Sequence, residues 1–234
     1  MSEPIRLQRI RFICVAAGAA TVALLASACG GSTGATVSSV ASESPSQVLA
    51  AAVSATKAAT SYEVSASGTF STGITSFDLK VVGADISGSY VLNGATVDLV
   101  DSAGTIYIKA PASFYTTEGA SAVEAALLAV GWVEIPSSSS YAADFSSLSN
   151  FTDVASQLEA AGTVTSGGTG SVDGQAVDIL KNTSGSTLDV ASSGTAYPVQ
   201  VTETAGTEAG TYKFSDWDGV PTFTAPPSAL QLPS

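Results

Sequence analysis

Histidine is absent from this 234-residue chain, and arginine is absent beyond residue 11. Without histidine there is no Ser-His-Asp triad, no Cys-His pair and no histidine-containing zinc site. Histidine-dependent hydrolysis is therefore excluded. Only two cysteines are present, Cys14 and Cys29. If the segment before Cys29 is removed, one cysteine remains and no intramolecular disulfide is possible. Positive charge is scarce too, with 8 Lys+Arg against 20 Asp+Glu and a net charge of −12. All three arginines (Arg6, Arg9, Arg11) fall before the apolar stretch at 12–28. A chain starting at Cys29 would carry five lysines against nineteen acidic residues, a net of −14. Nucleic-acid binding needs clustered Lys/Arg on phosphates and is disfavoured.

What is present describes a folded protein. Hydrophobic residues make up 45%, charged ones 12%, and mean hydropathy is +0.33, far from the profile of disorder. Aromatics are only 7%. Ala, Gly, Ser, Thr and Val dominate instead. Val and Thr favour strands, and Gly and Ser mark turns.

The N-terminus reads as an export signal. A basic stretch over residues 1–11 precedes the apolar run FICVAAGAATVALLASA at 12–28, the n-region and h-region of a signal peptide. The arginines are separated, so the twin-arginine signal is lacking. Leu25 to Cys29 (LASAC), followed by GGSTG, resembles a bacterial lipobox, whose cysteine is diacylated and becomes the mature N-terminus. The alternatives are an uncleaved anchor, because about 18 apolar residues begin to span a bilayer, and ordinary secretion with Cys29 incidental. The boundaries expected are a signal peptide at 1–28, a tether at 29–44 and one domain at 45–234. The tether, rich in Gly, Ser and Thr, would hold the domain about 20 Å from its anchor.

In the domain, Ser44-Pro45-Ser46-Gln47 reads as a capping box with proline at the first helical position. Val48, Leu49, Ala52, Val53 and Ala59 then recur at helical spacing, giving a helix over about 45–59. The period next switches to two. Tyr62, Val64, Ala66 and Phe70, then Phe77, Leu79 and Val81, alternate with polar residues. Strands continue at about 86–92, 95–101 and 104–110, separated by short turns, as in an antiparallel meander with one polar face. Ser121-Ala122-Val123-Glu124 is a second capping box, leading to Gly131. Ser149 or Asn150 is expected to cap a third helix that ends before Gly162. Strands return over about 163–225, with Val172-Asp173-Gly174 and Ser192-Ser193-Gly194 as turn candidates. The fold class expected is α+β.

Four segments carry a family resemblance: GTIYIKA at 104–110, Gly131-Trp132-Val133, LDVASSGTAYPVQV at 188–201, and GTYKFSDWDGVPTFTAPPSA at 210–229. Their order resembles actinobacterial lipid-carrier lipoproteins of the LppX/LprG type, which share the LolA-like half-open barrel. The resemblance implies a highly curved antiparallel sheet with about three helices over its concave face. It also implies a hydrophobic cavity for the acyl chains of a lipid or glycolipid. Val64, Phe77, Leu79, Val97, Leu99, Ile106, Ile108 and Val199 would face inward on their strands and are the candidate lining. The alternative is that these residues pack on the helices, leaving a filled core and an envelope scaffold or protein-interaction module.

No constellation points to catalysis. Asp216-Trp217-Asp218 pairs carboxylates with an aromatic, yet Asp218-Gly219 reads as a strand-end turn. Asp98 and Asp101 match no calcium loop. Gly30-Gly31-Ser32-Thr33-Gly34 falls in the tether, and Ser54-Ala55-Thr56-Lys57 lacks its companion motifs. The sequons at Asn150 and Asn182 are read as chance matches. Neither a cofactor nor a metal is expected, and no catalytic residue is assigned. The expectation is a non-enzymatic lipoprotein, anchored through acylated Cys29 on the extracytoplasmic face of the cell membrane. Replacing Cys29 with Ala should move the protein from the membrane to the soluble fraction. Fractionation followed by immunoblotting reads this, and persistent membrane attachment would favour an uncleaved anchor.

Overall fold

The computed structural model describes residues 43–70, 73–136 and 152–231, all within one structural unit. Cys29 and the capping candidates Ser149 and Asn150 lie outside them. Helix α1 (Pro45–Ala58) opens the fold. Gln47 Oε1 accepts from the Ser44 backbone N–H at 2.9 Å and from its hydroxyl at 2.8 Å, so donors at the helix N-terminus are satisfied locally. Val48, Ala52 and Thr56 are its buried face. The Thr56 hydroxyl is satisfied by the Ala52 carbonyl at 2.8 Å.

Five strands follow: β1 (Ser61–Phe70), β2 (Ile74–Val82), β3 (Asp85–Leu92), β4 (Ala95–Ser102) and β5 (Thr105–Lys109). Two short helices, α2 (Ala112–Thr117) and α3 (Ala122–Leu128), lead to β6 (Val133–Ile135). Ser121 caps α3 as its sequence predicts, accepting from Glu124 N at 3.3 Å while Glu124 accepts from Ser121 N at 3.0 Å. Helix α4 (Val154–Glu159) is capped by Asp153, whose carboxylate accepts from Ser156 N at 3.3 Å. The second meander is β7 (Val164–Val172), β8 (Gln175–Asn182), β9 (Thr187–Ala191), β10 (Pro198–Glu203) and β11 (Glu208–Ser215). A two-residue β12 (Leu230–Gln231) pairs parallel to β6.

All twelve strands form one curved, unclosed sheet in the order β12-β6-β5-β4-β3-β2-β1-β11-β10-β9-β8-β7. Every pairing except β12–β6 is antiparallel. The α+β half-open barrel is thus observed, with four described helices where the periodicity predicts three. The extra helix is α2, a six-residue piece with no side-chain cap. Asp173 (φ 49°) and Gly174 (φ 87°) form the tight turn expected between β7 and β8, whereas Ser192–Gly194 belong to a longer link between β9 and β10.

The register puts the apolar set on one face. Val64 lies opposite Leu79 on one side and Phe214 on the other, Leu79 opposite Gly88, Gly88 opposite Leu99, and Leu99 opposite Ile108. Gly88 is required there. A Cβ at this position would sit 2.0 Å from the Asp78 carbonyl oxygen and 2.9 Å from Leu79 Cα, at φ +152°.

The centre of the sheet is tied to the end of β11 by the Ser215–Gly219 turn. Asp218 Oδ1 accepts from Thr60 N at 2.7 Å and from the Thr60 hydroxyl at 2.9 Å, and Oδ2 accepts from the Tyr197 hydroxyl at 2.6 Å. Asp218 N donates to the Ser61 carbonyl at 2.8 Å. Trp217 stacks between Tyr62 and Tyr197, with centroids at 4.8 and 4.5 Å, and donates to the Pro198 carbonyl at 3.1 Å. The turn is a latch between β1, β10 and β11. The two positive-φ aspartates of this turn, Asp216 (51°) and Asp218 (58°), are of a residue type that tolerates this region.

Gly88→Ala should cost about 2–4 kcal/mol from strain and overpacking combined, whereas Gly83→Ala, with open space around its Cβ, should cost about 1–2 kcal/mol. Urea midpoints at unchanged slope read the difference. Asp218 is held below the usual carboxylate range, first by the Thr60 N–H, then by the hydroxyls of Tyr197 and Thr60. A depressed folded pKa gives stability that is present above the unfolded value and is lost as pH falls through the folded one. Asp218→Asn should therefore lower the melting temperature at pH 7 and flatten its decline below about pH 4, read by thermal melts from pH 7 to 2.

Candidate functional site

Seven of the eight candidate lining residues come together. Val64, Phe77, Leu79, Val97, Leu99, Ile106 and Ile108 belong to one inner-face cluster, none more than 9% exposed. The same cluster takes in Val48 and Ala52 of α1, Phe114 and Tyr115 of α2, Ala125 of α3, and Val154 and Leu158 of α4. Val199 is separated from them. It packs with Val177 and Ala191 in a second cluster. The register between β9 and β10 shifts between Pro198 and Gln200, and one extra residue breaks the inward–outward alternation.

A concavity of about 480 Å³ opens between α1, α4 and the start of β7. Leu49, Ala50 and Val53 come from α1, Leu158 from α4, and Val164 from β7; Ser46, Glu159, Gly162 and Thr163 complete it. None of the eight sequence candidates lines it. Its origin is the width of the α1 stripe. Val48, Ala52 and Thr56 go to the sheet, while Leu49 and Val53, one position on, are only half-buried. A core-facing helix carries about three apolar positions per heptad, so these two face the space left beside α4. The doubled apolar positions 48–49 and 52–53 are the sequence signal for this groove. Its partner wall, more than a hundred residues away, has no such signal.

The charged lining residue of the groove, Glu159, is neutralised by a neighbour on α1. Lys57 and Glu159 form an ion pair across α1 and α4, with their side chains 54% and 49% exposed. Lys57 is thus a solvated, paired ammonium rather than the buried amine that a Ser–Lys arrangement with Ser54 requires. Nearby, the Tyr62 hydroxyl donates to the Thr152 carbonyl. Burial, and then the Asp153 carboxylate, push its pKa well above the usual phenol value.

A smaller concavity of about 120 Å³ lies between the β3–β4 turn and α2, lined by residues including Asn93, Phe114, Thr117 and Glu118. Behind it, the buried Tyr90 hydroxyl is held neutral by burial, then by Glu118 and Tyr115. Burial pushes Tyr115 up to about 12. The remaining candidates are dispersed. Alternation along β4 puts Asp98 and Asp101 on opposite faces. Both oxygens of Asp218 are engaged in the latch. Asn182 Oδ1 accepts from Ser184 N at 3.1 Å and Ser186 N at 3.0 Å, holding the turn after β8.

No family model matches the sequence, and no curated protein does. Among solved structures, the crystal structure of LprF from Mycobacterium bovis aligns over 79% of this chain and 97% of its own, with a TM-score of 0.55 at 13% identity. The crystal structure of the Mycobacterium tuberculosis lipoprotein LppX aligns over 76% of this chain and 98% of its own, with a TM-score of 0.49 at 18% identity. At this identity the likeness to LprF is one of fold: the chain is built on the same curved, unclosed sheet that its LppX/LprG-type resemblance implies.

Proposed function

We propose that this protein is a non-enzymatic lipoprotein of the cell envelope. It is anchored through acylated Cys29 on the extracytoplasmic face of the membrane, and it binds the acyl chains of a lipid or glycolipid. One observation carries the binding reading. The groove between α1, α4 and β7 offers about 480 Å³ walled by Leu49, Val53, Leu158 and Val164, within the range of about 300–1,000 Å³ usual for ligand sites. Its walls are mostly apolar, and its charged lining residue, Glu159, is half-exposed and paired with Lys57. That arrangement suits a hydrocarbon chain inside and a polar headgroup in water. In this reading the ligand site lies at the edge of the helical cover rather than on the concave face of the sheet.

A second reading, an envelope scaffold with a filled core, is favoured by the dense inner-face cluster that absorbs seven of the eight candidate lining residues. The two readings part at the groove. Mass spectrometry of organic extracts should find a co-purifying lipid in protein taken from its native membrane. Val53→Asp, which puts a carboxylate against that chain, should lower the yield at least about tenfold, the equivalent of 1.4 kcal/mol, with an unchanged circular dichroism spectrum. Equal lipid in both proteins would move the site elsewhere. No lipid in either would leave the scaffold.

A further inference from the structure

Helix α3 presents an apolar stripe to solvent. Val123 is 72% exposed, Leu127 64%, and Val130, just past the helix end, 82%. Their spacing of four and three residues puts them on one face. The opposite side is used normally: Ala125 is buried in the core cluster, and Leu128 packs against it. Three large aliphatic side chains on a single exposed face are more than scattered surface apolarity.

The strand register shows where this stripe lies. Phe70 at the end of β1 pairs with Glu208 at the start of β11, Leu92 with Ile74, and Val164 at the start of β7 with Asn182 at the end of β8. These ends mark one side of the sheet. Ser46 and Leu49 of α1 stand beside Gly162, Thr163 and Val164, so the chain enters the domain on that same side. Strand β5 runs toward it and delivers α2, which lies against the β3–β4 turn. Helix α3 packs on α2 and leads into β6, whose Val133 pairs with Ile108 and Ile135 with Ile106, a strand running away from that end. The entry point of the tether, the groove and the apolar stripe therefore share one end of the molecule.

We propose that this end faces the membrane and that Val123, Leu127 and Val130 insert into the outer leaflet to which Cys29 anchors the chain. The occupant is argued from the chain itself. A tether of the fifteen residues between Cys29 and Pro45, flexible as its Gly/Ser/Thr composition predicts, would reach about 20 Å on average, so the end it enters would be the one held against the bilayer. Glu118 and Glu124 near the stripe make the contact apolar rather than electrostatic, and zwitterionic lipid is preferred over anionic lipid. Docking would bring the groove to the lipid surface, so that an acyl chain passes between bilayer and groove without crossing water.

This inference rests on the anchored reading, and its test separates the two. Leu127→Cys, labelled with an environment-sensitive fluorophore, is compared with the same label at Gln175→Cys on the β7–β8 turn at the opposite end. The acylated mature chain is reconstituted in phosphatidylcholine vesicles. In parallel, an unacylated chain with Cys29→Ser and a histidine tag at its N-terminus is held on nickel-chelating lipid vesicles. A several-fold emission rise at 127 and none at 175, quenched by spin-labelled lipid in both preparations, is the expected result. Water-like emission at 127 in both would overturn the docking. A response on the nickel vesicles, with no acyl group found on native Cys29, would sustain the docking and sink the anchor. Emission that rises with protein concentration but resists the lipid quencher would overturn it in favour of a second copy of this chain.

Discussion

The described fold depends on the burial of one face of a twelve-stranded sheet with little described helix to cover it. Among the described residues only α1 is longer than two turns; α2, α3 and α4 have six or seven residues each. A flat sheet of this width would leave much of its apolar face in water. Curvature resolves the shortage by turning the inner rows toward one another and toward the few helices. Gly88 permits close backbone approach at the β2–β3 pairing, and the Asp218 latch fixes the join between the two meanders. The core is accordingly a continuous band along the inner face.

Among the described residues, the same narrow helical cover leaves the groove open. Helix α1 commits Val48, Ala52 and Thr56 to the sheet, and its neighbouring Leu49 and Val53 would need a second helix packed along its flank. Helix α4 covers only part of that flank, through Leu158 and the Lys57–Glu159 pair. The gap that remains is apolar and open, at the end of the molecule where the chain enters. Charge pushes the account the same way. If the chain begins at Cys29, as we propose, its net charge of −14 is repelled by anionic headgroups, and dealings with a membrane would fall to the proposed acyl anchor and to aliphatic side chains.

Much of the fold was legible because half-buried antiparallel strands write themselves as strict alternation, as in Tyr62-Val64-Ala66 and Phe77-Leu79-Val81. The capping boxes at Ser44 and Ser121 placed two helices correctly, although α3 stops at Leu128, short of the Gly131 signal. Helix α2 was illegible: ASFYTT has no polar cap and is too short to show a period. The cap of α4 proved to be Asp153, a residue equally suited to that position and to the first turn. Val199 was misplaced relative to its seven companions because a bulge changes parity without changing composition. The groove was legible only on its α1 wall, since nothing in Leu158 or Val164 announces that they meet α1 in space.

The most direct measurement of the central claim is a crystal structure of the protein purified from its native membrane. The account predicts continuous elongated density between Leu49, Val53, Leu158 and Val164, with its polar end near Lys57 and Glu159. Acyl density lodged instead beneath the helices, against Val64, Leu79 and Leu99, would contradict it.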